Sequence, residues 1–221
     1  MPNPSNPAAL LDVDGTLVDS TFHHAMAWWR ACRDGGLEIP AWRLHRLIGM
    51  GSDQLLEAID AVGRDDLTEG WEAHFDSIKG EVRALPGAAD LVHALADRGL
   101  RVVYATSGRE EDVEVLRGVI GADEWVHGVV NSSEVEASKP APDIFSLALQ
   151  RAESAPSSAV VVGDTVWDAA AAGACGISCI GVRSGGVSAE ELLHAGASAV
   201  YDDAADLVAH LDESPFGPLV T

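Results

Sequence analysis

The chain has 221 residues and a formal net charge of −21, because only 14 lysine and arginine residues offset 35 aspartate and glutamate residues. This acidic balance excludes most nucleic-acid-binding proteins and argues against docking on anionic membranes, since both partners require a basic surface. Hydrophobic residues make up 47% of the chain and charged residues 22%, which is typical of one packed domain, or of one domain that carries an insertion.

The N-terminal segment and the cysteines bear on where the protein acts. Residues 1–7 have neither the basic nor the apolar region of a secretory signal, and we expect a short disordered lead there. No apolar run approaches the roughly 18 residues that span a bilayer. Cys32, Cys175 and Cys179 lack metal-site spacing and are expected to be reduced thiols. These features predict a cytoplasmic protein.

Apolar segments rich in β-branched residues alternate with helical patterns along most of the chain. Strands are predicted at residues 8–13, 101–105, 128–131, 159–162, 177–182 and 199–201. Helices are predicted at residues 88–97, 110–119, 144–152, 166–174, 189–194 and 204–211, and the C-terminal residues 213–218 are expected to be frayed. This alternation predicts an α/β fold, a doubly wound parallel sheet (Rossmann-like core) with helices on both faces.

Residues 19–83 interrupt the alternation. Helical patterns at residues 21–33, 42–48, 52–62 and 67–83 follow one another without a strand candidate. Leu85-Pro86-Gly87 then marks the return to alternating strands and helices. The simplest interpretation is an all-helical insertion after the first strand, with one core domain at residues 1–18 and 84–221 and a second domain at residues 19–83.

Polar residues follow several of the predicted strands, where doubly wound sheets bind their ligands. The motifs are Asp12-Val13-Asp14-Gly15-Thr16, Thr106-Ser107-Gly108, Ser138-Lys139-Pro140 and Gly163-Asp164-Thr165-Val166-Trp167-Asp168. Carboxylates gathered at one edge repel one another unless a cation is present. Mg²⁺ suits a few carboxylates together with water and a substrate phosphate, and such a site supports nucleophilic catalysis by an aspartate.

Each motif has an ordinary structural explanation when it stands alone. Asp-Gly is common in turns, Asp164 could cap a helix, and a lone lysine is usually a solvated surface charge. The four motifs together are more specific than any one of them, because each follows its own predicted strand or strand unit along the chain. Lys139 is also one of only two lysines in the chain, the other being Lys79.

The combined pattern resembles the haloacid-dehalogenase superfamily of phosphohydrolases, in the phosphoglycolate phosphatase and β-phosphoglucomutase-like branch. Residues 19–83 also resemble the helical cap domain of that family. The resemblance implies that Asp12 is the nucleophile and that Asp14 is the general acid and base. It implies a phosphate site made of Thr106, Ser107 and Lys139, and a Mg²⁺ site made of Asp12, Asp164 and the backbone carbonyl of Asp14. Asp168, Gly15 and Gly108 are expected to support these groups.

Asp14 favours phosphoryl transfer, because the dehalogenases of the superfamily lack an acid at this position and use no metal. We therefore expect a Mg²⁺-dependent phosphatase, a phosphoric monoester hydrolase that acts on a small phosphorylated metabolite through an aspartyl-phosphate intermediate. A β-phosphoglucomutase-like enzyme is the alternative, although Asp53 stands where its cap loop carries an arginine. A catalytically idle binding protein is a further alternative, which the complete set of motif residues disfavours.

Substrate selection is expected to lie in the cap, which closes over the site. The candidate substrate residues are His24, Trp28, Arg46, Gly49, Met50 and Ser52. Core packing is the favoured interpretation of Trp28, and both Arg46 and Arg109 could meet an anionic substrate group or form an ion pair. Neither the individual substrate nor the oligomeric state can be predicted.

Overall fold

The computed structural model describes residues 6–219. Its centre is a sheet of six parallel strands in the order β3-β2-β1-β4-β5-β6. The strands are β1 (Ala8–Leu11), β2 (Arg101–Ala105), β3 (Val126–Val130), β4 (Ala159–Gly163), β5 (Ser178–Val182) and β6 (Ala199–Tyr201). This is the order of a doubly wound sheet, and the predicted α/β fold class is confirmed.

Helices cover both faces of the sheet. They are α5 (Ala88–Asp97), α6 (Glu110–Ile120), α7 (Asp143–Arg151), α8 (Val166–Ala174), α9 (Ala189–His194) and α10 (Ala204–Ala209). Alternate residues of a strand point to opposite faces, so Ala9 and Leu11 pack with α5 and α10 while Ala8 and Leu10 pack with α7 and α8. Because β2, β1 and β4 are neighbours, the loops at their carboxyl ends meet at the centre of one edge.

Four helices lie between β1 and α5: α1 (Thr21–Asp34), α2 (Ala41–His45), α3 (Ser52–Ala58) and α4 (Asp65–Asp76). We call residues 19–83 the helical region. Its apolar side chains, among them Trp28, Leu44, Trp71 and Phe75, form a hydrophobic cluster separate from those on the two faces of the sheet. The helical region is therefore stabilised mainly by burial of its own apolar side chains.

The structure corrects several predicted boundaries. The helix predicted at residues 67–83 ends at Asp76 and is followed by a short 3-10 turn, Lys79–Glu81. The helix predicted at residues 52–62 ends at Ala58, and Asp60 has a left-handed backbone with a φ of 58° that an α-helix cannot contain. The helix predicted at residues 204–211 ends at Ala209.

The structure also corrects the expectation for the two chain ends. The C-terminal segment at 213–218 is not frayed, because the Phe216 side chain has no exposed surface and packs in the main cluster. Residues 1–5 of the expected N-terminal lead lie outside the described residues. The remainder of that lead is ordered, since the carbonyl oxygens of Asn6 and Pro7 accept hydrogen bonds from Ser154 and Arg101. Within residues 6–219, no helix is long and apolar enough to cross a membrane.

Candidate active site

The loop after β1 carries the first two carboxylates of the site, Asp12 and Asp14. The chain turns directly after them, and the amide of Gly15 donates a hydrogen bond to the carbonyl oxygen of Val18 at 2.8 Å. Gly15 has a φ of +83°, and a Cβ atom at this position would lie 2.3 Å from Oδ2 of Asp164. Glycine therefore lets the loop after β1 approach the carboxylate that follows β4.

Lys139 is fully buried between two carboxylates. Its Nζ atom lies 2.5 Å from Oδ1 of Asp12 and 2.8 Å from Oδ1 of Asp168, and it donates to the carbonyl oxygen of Ala105 at 3.0 Å. Oδ2 of Asp168 accepts hydrogen bonds from the amide and the hydroxyl of Thr165, at 3.1 and 2.6 Å. The first turn of α8 therefore holds Asp168, and Asp168 helps to hold Lys139 beside Asp12.

Asp12, Asp164 and Asp168 form a buried carboxylate cluster, in which one oxygen atom of each lies within 4.8 Å of the others. The Thr16 hydroxyl lies 3.2 Å from both Asp12 and Asp164. Oδ2 of Asp164 has no hydrogen-bond partner within residues 6–219, although buried polar atoms normally have one. Mg²⁺ prefers oxygen ligands of this kind, so this set of donors fits a hard divalent cation.

The electrostatics of the cluster also favour a cation. Burial raises the pKa of Asp12 to about 7, although the attraction of Lys139 opposes this shift. Burial and the charge of Asp12 raise the pKa of Asp164 well above its usual value. Burial lowers the pKa of Lys139, but Asp12 and Asp168 outweigh burial, and the pKa of Lys139 is raised. A single ammonium group therefore faces three carboxylates, and a divalent cation would relieve their repulsion.

Asp14 has different surroundings from Asp12. Its Oδ1 atom accepts a hydrogen bond from the Ser20 hydroxyl at 2.5 Å and lies 3.0 Å from Nε2 of His24, and its Oδ2 atom accepts from the Thr106 hydroxyl at 3.3 Å. Burial raises the pKa of Asp14, but His24 and the hydrogen bonds outweigh burial and lower it below the usual value. Two carboxylates separated by one residue thus have pKa values shifted in opposite directions, because burial dominates at Asp12 while hydrogen-bond donors and His24 dominate at Asp14.

The loop after β2 provides hydroxyl and amide groups. The amide of Thr106 donates to Val130, and its hydroxyl accepts a hydrogen bond from the amide of Gly108 at 2.9 Å. The hydroxyl of Ser107 donates to the carbonyl oxygen of Gly49 at 3.2 Å. This loop therefore connects the strand-end edge with the helical region.

A cavity of about 90 Å³ opens above these loops. From the predicted core, Asp12, Asp14, Thr106, Ser107 and Gly108 line it. From the helical region, its walls include five of the six candidate substrate residues: His24, Trp28, Gly49, Met50 and Ser52. The structure thus brings these predicted residues around one cavity, with Lys139, Asp164 and Asp168 packed behind Asp12.

Arg46 is the one tentative substrate residue that the structure does not bring to this cavity. Its guanidinium group forms an ion pair with Glu191 on α9, and its carbonyl oxygen accepts a hydrogen bond from the indole of Trp167 at 3.3 Å. Arg46 lines a separate, smaller cavity between α2 and α8. Because its guanidinium group pairs with Glu191, the positive charge of Arg46 is compensated between the helical region and the core.

The sequence profile of haloacid dehalogenase-like hydrolases matches residues 7–176, a span that contains the three clustered carboxylates, Thr106 and Lys139. The chain belongs to the haloacid dehalogenase-like hydrolases. The predicted family and the predicted hydrolase class are therefore confirmed.

Two curated relatives of this haloacid dehalogenase-like hydrolase are phosphatases. A phosphoglycolate phosphatase from Rhodospirillum rubrum is 30% identical over 215 residues, which cover 90% of this chain and 88% of that protein. A fructose-1-phosphate phosphatase from Escherichia coli is 29% identical over 181 residues, which cover 79% of this chain and 95% of that protein. A crystal structure of a hydrolase from Pseudomonas syringae is 31% identical with a TM-score of 0.89, covering 94% of this chain and 99% of that one.

Sequence reasoning missed two serines of this haloacid dehalogenase-like hydrolase. Ser20 donates to Asp14, and Ser184 donates to the carbonyl oxygen of Gly15 at 2.6 Å. Ser184 precedes Gly185, where a Cβ atom would lie 1.6 Å from Oδ2 of Asp164. The available signal was the Ser184-Gly185-Gly186 motif, which begins two residues after the end of the strand predicted at residues 177–182, since that strand also ends at the ligand-binding edge.

Proposed function

We propose that the chain is a Mg²⁺-dependent phosphatase that hydrolyses a small phosphorylated metabolite through an aspartyl-phosphate. The observation that carries the proposal is the position of Asp12. Its carboxylate opens to the cavity, lies 2.5 Å from the ammonium group of Lys139, and belongs to a cluster that fits a divalent cation. A carboxylate in these surroundings is suited to nucleophilic attack on a phosphoryl group.

The chemistry divides between the two carboxylates that line the cavity. Asp12 attacks phosphorus, and Asp14, whose pKa the bound substrate must raise from its lowered value, gives a proton to the departing alkoxide oxygen. Asp14 then takes a proton from water, which attacks phosphorus and releases Asp12 and inorganic phosphate. Contacts with the Ser20 hydroxyl and with Nε2 of His24 hold the Asp14 carboxyl group in place for both proton transfers.

The remaining groups of the site stabilise charge on the transferring phosphoryl group. The Thr106 hydroxyl and the amide of Ser107 donate to its oxygens, and Lys139 neutralises Asp12. Asp12, Asp164 and the backbone carbonyl of Asp14 would hold Mg²⁺. The cation would supply electrostatic stabilisation of the phosphoryl oxygens.

We further propose that residues 19–83 act as a cap over a core formed by residues 1–18 and 84–221. The cavity supports this division, because its walls come from both parts. Its volume of about 90 Å³ lies below the roughly 300–1,000 Å³ of sites for drug-sized ligands, which favours a small ester. The three free cysteines agree with a cytoplasmic location, where thiols stay reduced.

The mutase alternative requires a second phosphate site in the helical region. Within residues 19–83, all of which the structure describes, no lysine or arginine lines the cavity. Asp53 follows Ser52 at the start of α3, and its negative charge would oppose a second phosphate group. These observations favour hydrolysis, which releases phosphate, over a mutase reaction, which would transfer phosphate to a second position of the substrate.

The proposal is tested by phosphate release from p-nitrophenyl phosphate, with Mg²⁺ and with a chelator in its place. We expect turnover that requires Mg²⁺ and falls at least about 10³-fold in Asp12→Asn, because the nucleophile is removed. Asp97→Asn, an exposed substitution on α5, is the matched control and should keep full activity. Turnover that survives Asp12→Asn, or that persists with the chelator, would overturn the mechanism. A need for a bisphosphate activator with an isomerised product would identify a mutase.

A further inference from the structure

The part of the cavity beyond the phosphoryl site is walled by large side chains. Trp28 on α1 and Trp71 on α4 stack with ring centroids 5.3 Å apart and planes 11° from parallel. Ile48 and Met50 complete the apolar lining from the helical region. Given the proposed function, on which this inference rests, this is the space where the alcohol portion of a phosphate ester would lie.

Arg109 is the one lysine or arginine among the described residues that line this cavity. Its guanidinium group contacts four carboxylates at once: Asp112 at 2.6 Å, Asp76 at 3.2 Å, Glu72 at 3.5 Å and Glu111 at 3.7 Å. Every nitrogen atom of the guanidinium group is therefore already close to a carboxylate. The group also lies over the ring of Trp71, 5.1 Å from its centroid, so its position is set from several sides.

The surroundings of Arg109 are negative overall. Lys79 is the second cation of the cluster, and its Nζ atom lies 2.8 Å from Asp76 and 3.4 Å from Asp112. Two cations thus share four carboxylates. A second anionic group on a substrate would meet net repulsion here, and it would have to displace existing ion pairs before it could contact Arg109.

The indole nitrogen of Trp71 indicates which group the cavity wall would bind in place of a second anionic group. Trp71 is only 8% exposed and lines the cavity. Its Nε1 atom is buried and has no hydrogen-bond partner within the described part of the chain. A buried indole N–H normally donates to an acceptor, and an uncharged hydroxyl oxygen is an acceptor that the negative surroundings tolerate.

We propose that the substrate is a phosphate monoester of an uncharged, hydroxyl-bearing alcohol, such as a polyol or sugar. The apolar face of the alcohol packs against the stacked rings of Trp28 and Trp71, and one of its hydroxyl oxygens accepts a hydrogen bond from Nε1 of Trp71. Esters that carry a second anionic group are discriminated against, because Arg109 is already paired with Glu72, Asp76, Glu111 and Asp112.

The test compares kcat/KM for 2-hydroxyethyl phosphate and phosphoglycolate, which differ in carrying a hydroxymethyl group or a carboxylate. We expect a preference of at least about 10-fold for 2-hydroxyethyl phosphate, since like charges oppose the carboxylate. Equal or greater kcat/KM for phosphoglycolate would overturn the inference, as would failure of both esters while p-nitrophenyl phosphate is hydrolysed. Failure of all three substrates would instead contradict the proposed function itself.

A double variant tests the role of the carboxylates around Arg109. Glu72→Gln combined with Asp76→Asn removes two partners whose side chains are 38% and 49% exposed. The freed guanidinium should raise the kcat/KM ratio of phosphoglycolate to 2-hydroxyethyl phosphate about 10-fold. Asp65→Asn with Glu69→Gln changes the net charge equally, at exposed positions of the same helix, and should leave the ratio unchanged. An unchanged ratio in the first variant, or an equal shift in both, would overturn the inference.

Trp71→Phe tests the hydrogen bond, because it keeps an aromatic ring and removes only the donor and part of the ring area. We expect KM for 2-hydroxyethyl phosphate to rise about 5-fold relative to KM for p-nitrophenyl phosphate, whose leaving group lacks a hydroxyl. Trp28→Phe is the matched control on the other ring of the stack. Equal KM changes for both esters in Trp71→Phe would overturn the assigned hydrogen bond.

Discussion

The two lysines of the chain show how differently the strand-end edge and the helical region hold charge. Lys139 has no exposed surface and lies between Asp12 and Asp168. Lys79, at the end of the helical region, is 27% exposed and pairs with Asp76 at 2.8 Å. At the edge of the sheet the charges are removed from water and are stabilised by one another. In the helical region, solvent water also stabilises the charges.

The largest expected effect separates these two environments. Lys139→Met should lower the free energy of unfolding by about 3–5 kcal/mol, because it leaves buried carboxylates without their cation. Lys79→Met is the matched control and should cost less than about 1 kcal/mol, as exposed ion pairs do. Urea denaturation followed by circular dichroism measures both values. Similar losses of unfolding free energy in the two variants would contradict the expectation that the buried ion pairs of Lys139 contribute more to stability than the exposed ones of Lys79.

The next effect concerns the close contact between Gly185 and Asp164. Gly185→Ala would place a Cβ atom 1.6 Å from Oδ2 of Asp164, so the carboxylate or the loop after β5 must move. We expect the Mg²⁺ concentration needed for half-maximal phosphate release to rise about 10–100-fold, as for other changes beside metal ligands. Gly173→Ala, on α8 with open space around the added atom, is the control. An unchanged Mg²⁺ requirement in Gly185→Ala would contradict the proposed ligand role of Asp164.

A smaller effect is expected from pH and metal on stability. Because burial raises the pKa of Asp12 to about 7 and also raises that of Asp164, the folded protein without metal binds protons that the unfolded chain releases above pH 4. The free energy of unfolding should therefore fall between pH 5 and pH 8 without metal. Mg²⁺ at one hundred times its Kd should add about 2.7 kcal/mol, and a fixed Mg²⁺ concentration should stabilise the protein more at pH 8 than at pH 5.

Thermal unfolding of the native protein and Asp12→Asn, with and without Mg²⁺, measures this effect. The difference between the two proteins isolates Asp12 from other groups that titrate in this range. His45 is one such group, since burial lowers its pKa and gives a contribution of opposite sign. If the native protein does not lose stability relative to Asp12→Asn as the pH rises, the raised pKa of Asp12 is wrong.

The smallest effect is expected in the helical region. Oδ2 of Asp34 on α1 lies 2.8 Å from Nε2 of His74 on α4, with side chains 74% and 30% exposed. Asp34→Asn should change the free energy of unfolding by less than about 1 kcal/mol. Phe75→Ala, which removes a fully buried ring between the same helices, should cost about 3–5 kcal/mol. Denaturation experiments that ranked these two losses in the opposite order would refute apolar burial as the main source of stability here.

The positions of the core residues could be predicted because they depend on strand ends. Asp12, Thr106 and Asp164 each follow a buried apolar strand in the sequence, and parallel strands end at the same edge of a sheet. Lys139 lies farther along the chain from its strand, ahead of a helix near the end of the third strand unit, and the resemblance and the scarcity of lysine support its predicted position. Once β2, β1 and β4 are neighbours, these side chains come together without any further assumption.

The partners of the arginines could not be predicted in this way. Arg46 pairs with Glu191, which is 145 residues away in the sequence, and Arg109 pairs with carboxylates on both α4 and α6. The sequence favours core packing for Trp28, and the structure shows that Trp28 and Trp71 are buried and also line the cavity. No local pattern specifies which surfaces of two separate hydrophobic clusters meet.

The sequence by itself determined the α/β fold, the helical region and the chemistry available at the edge of the sheet, because hydrophobic periodicity and strand-end residues are local properties. Only the tertiary structure decided which carboxylates pair with each basic residue. Lys139 beside Asp12 and Arg109 beside four carboxylates are both basic residues near one cavity. Their electrostatic environments differ because segments distant in the sequence pack around them. No single segment of the chain determines such long-range packing.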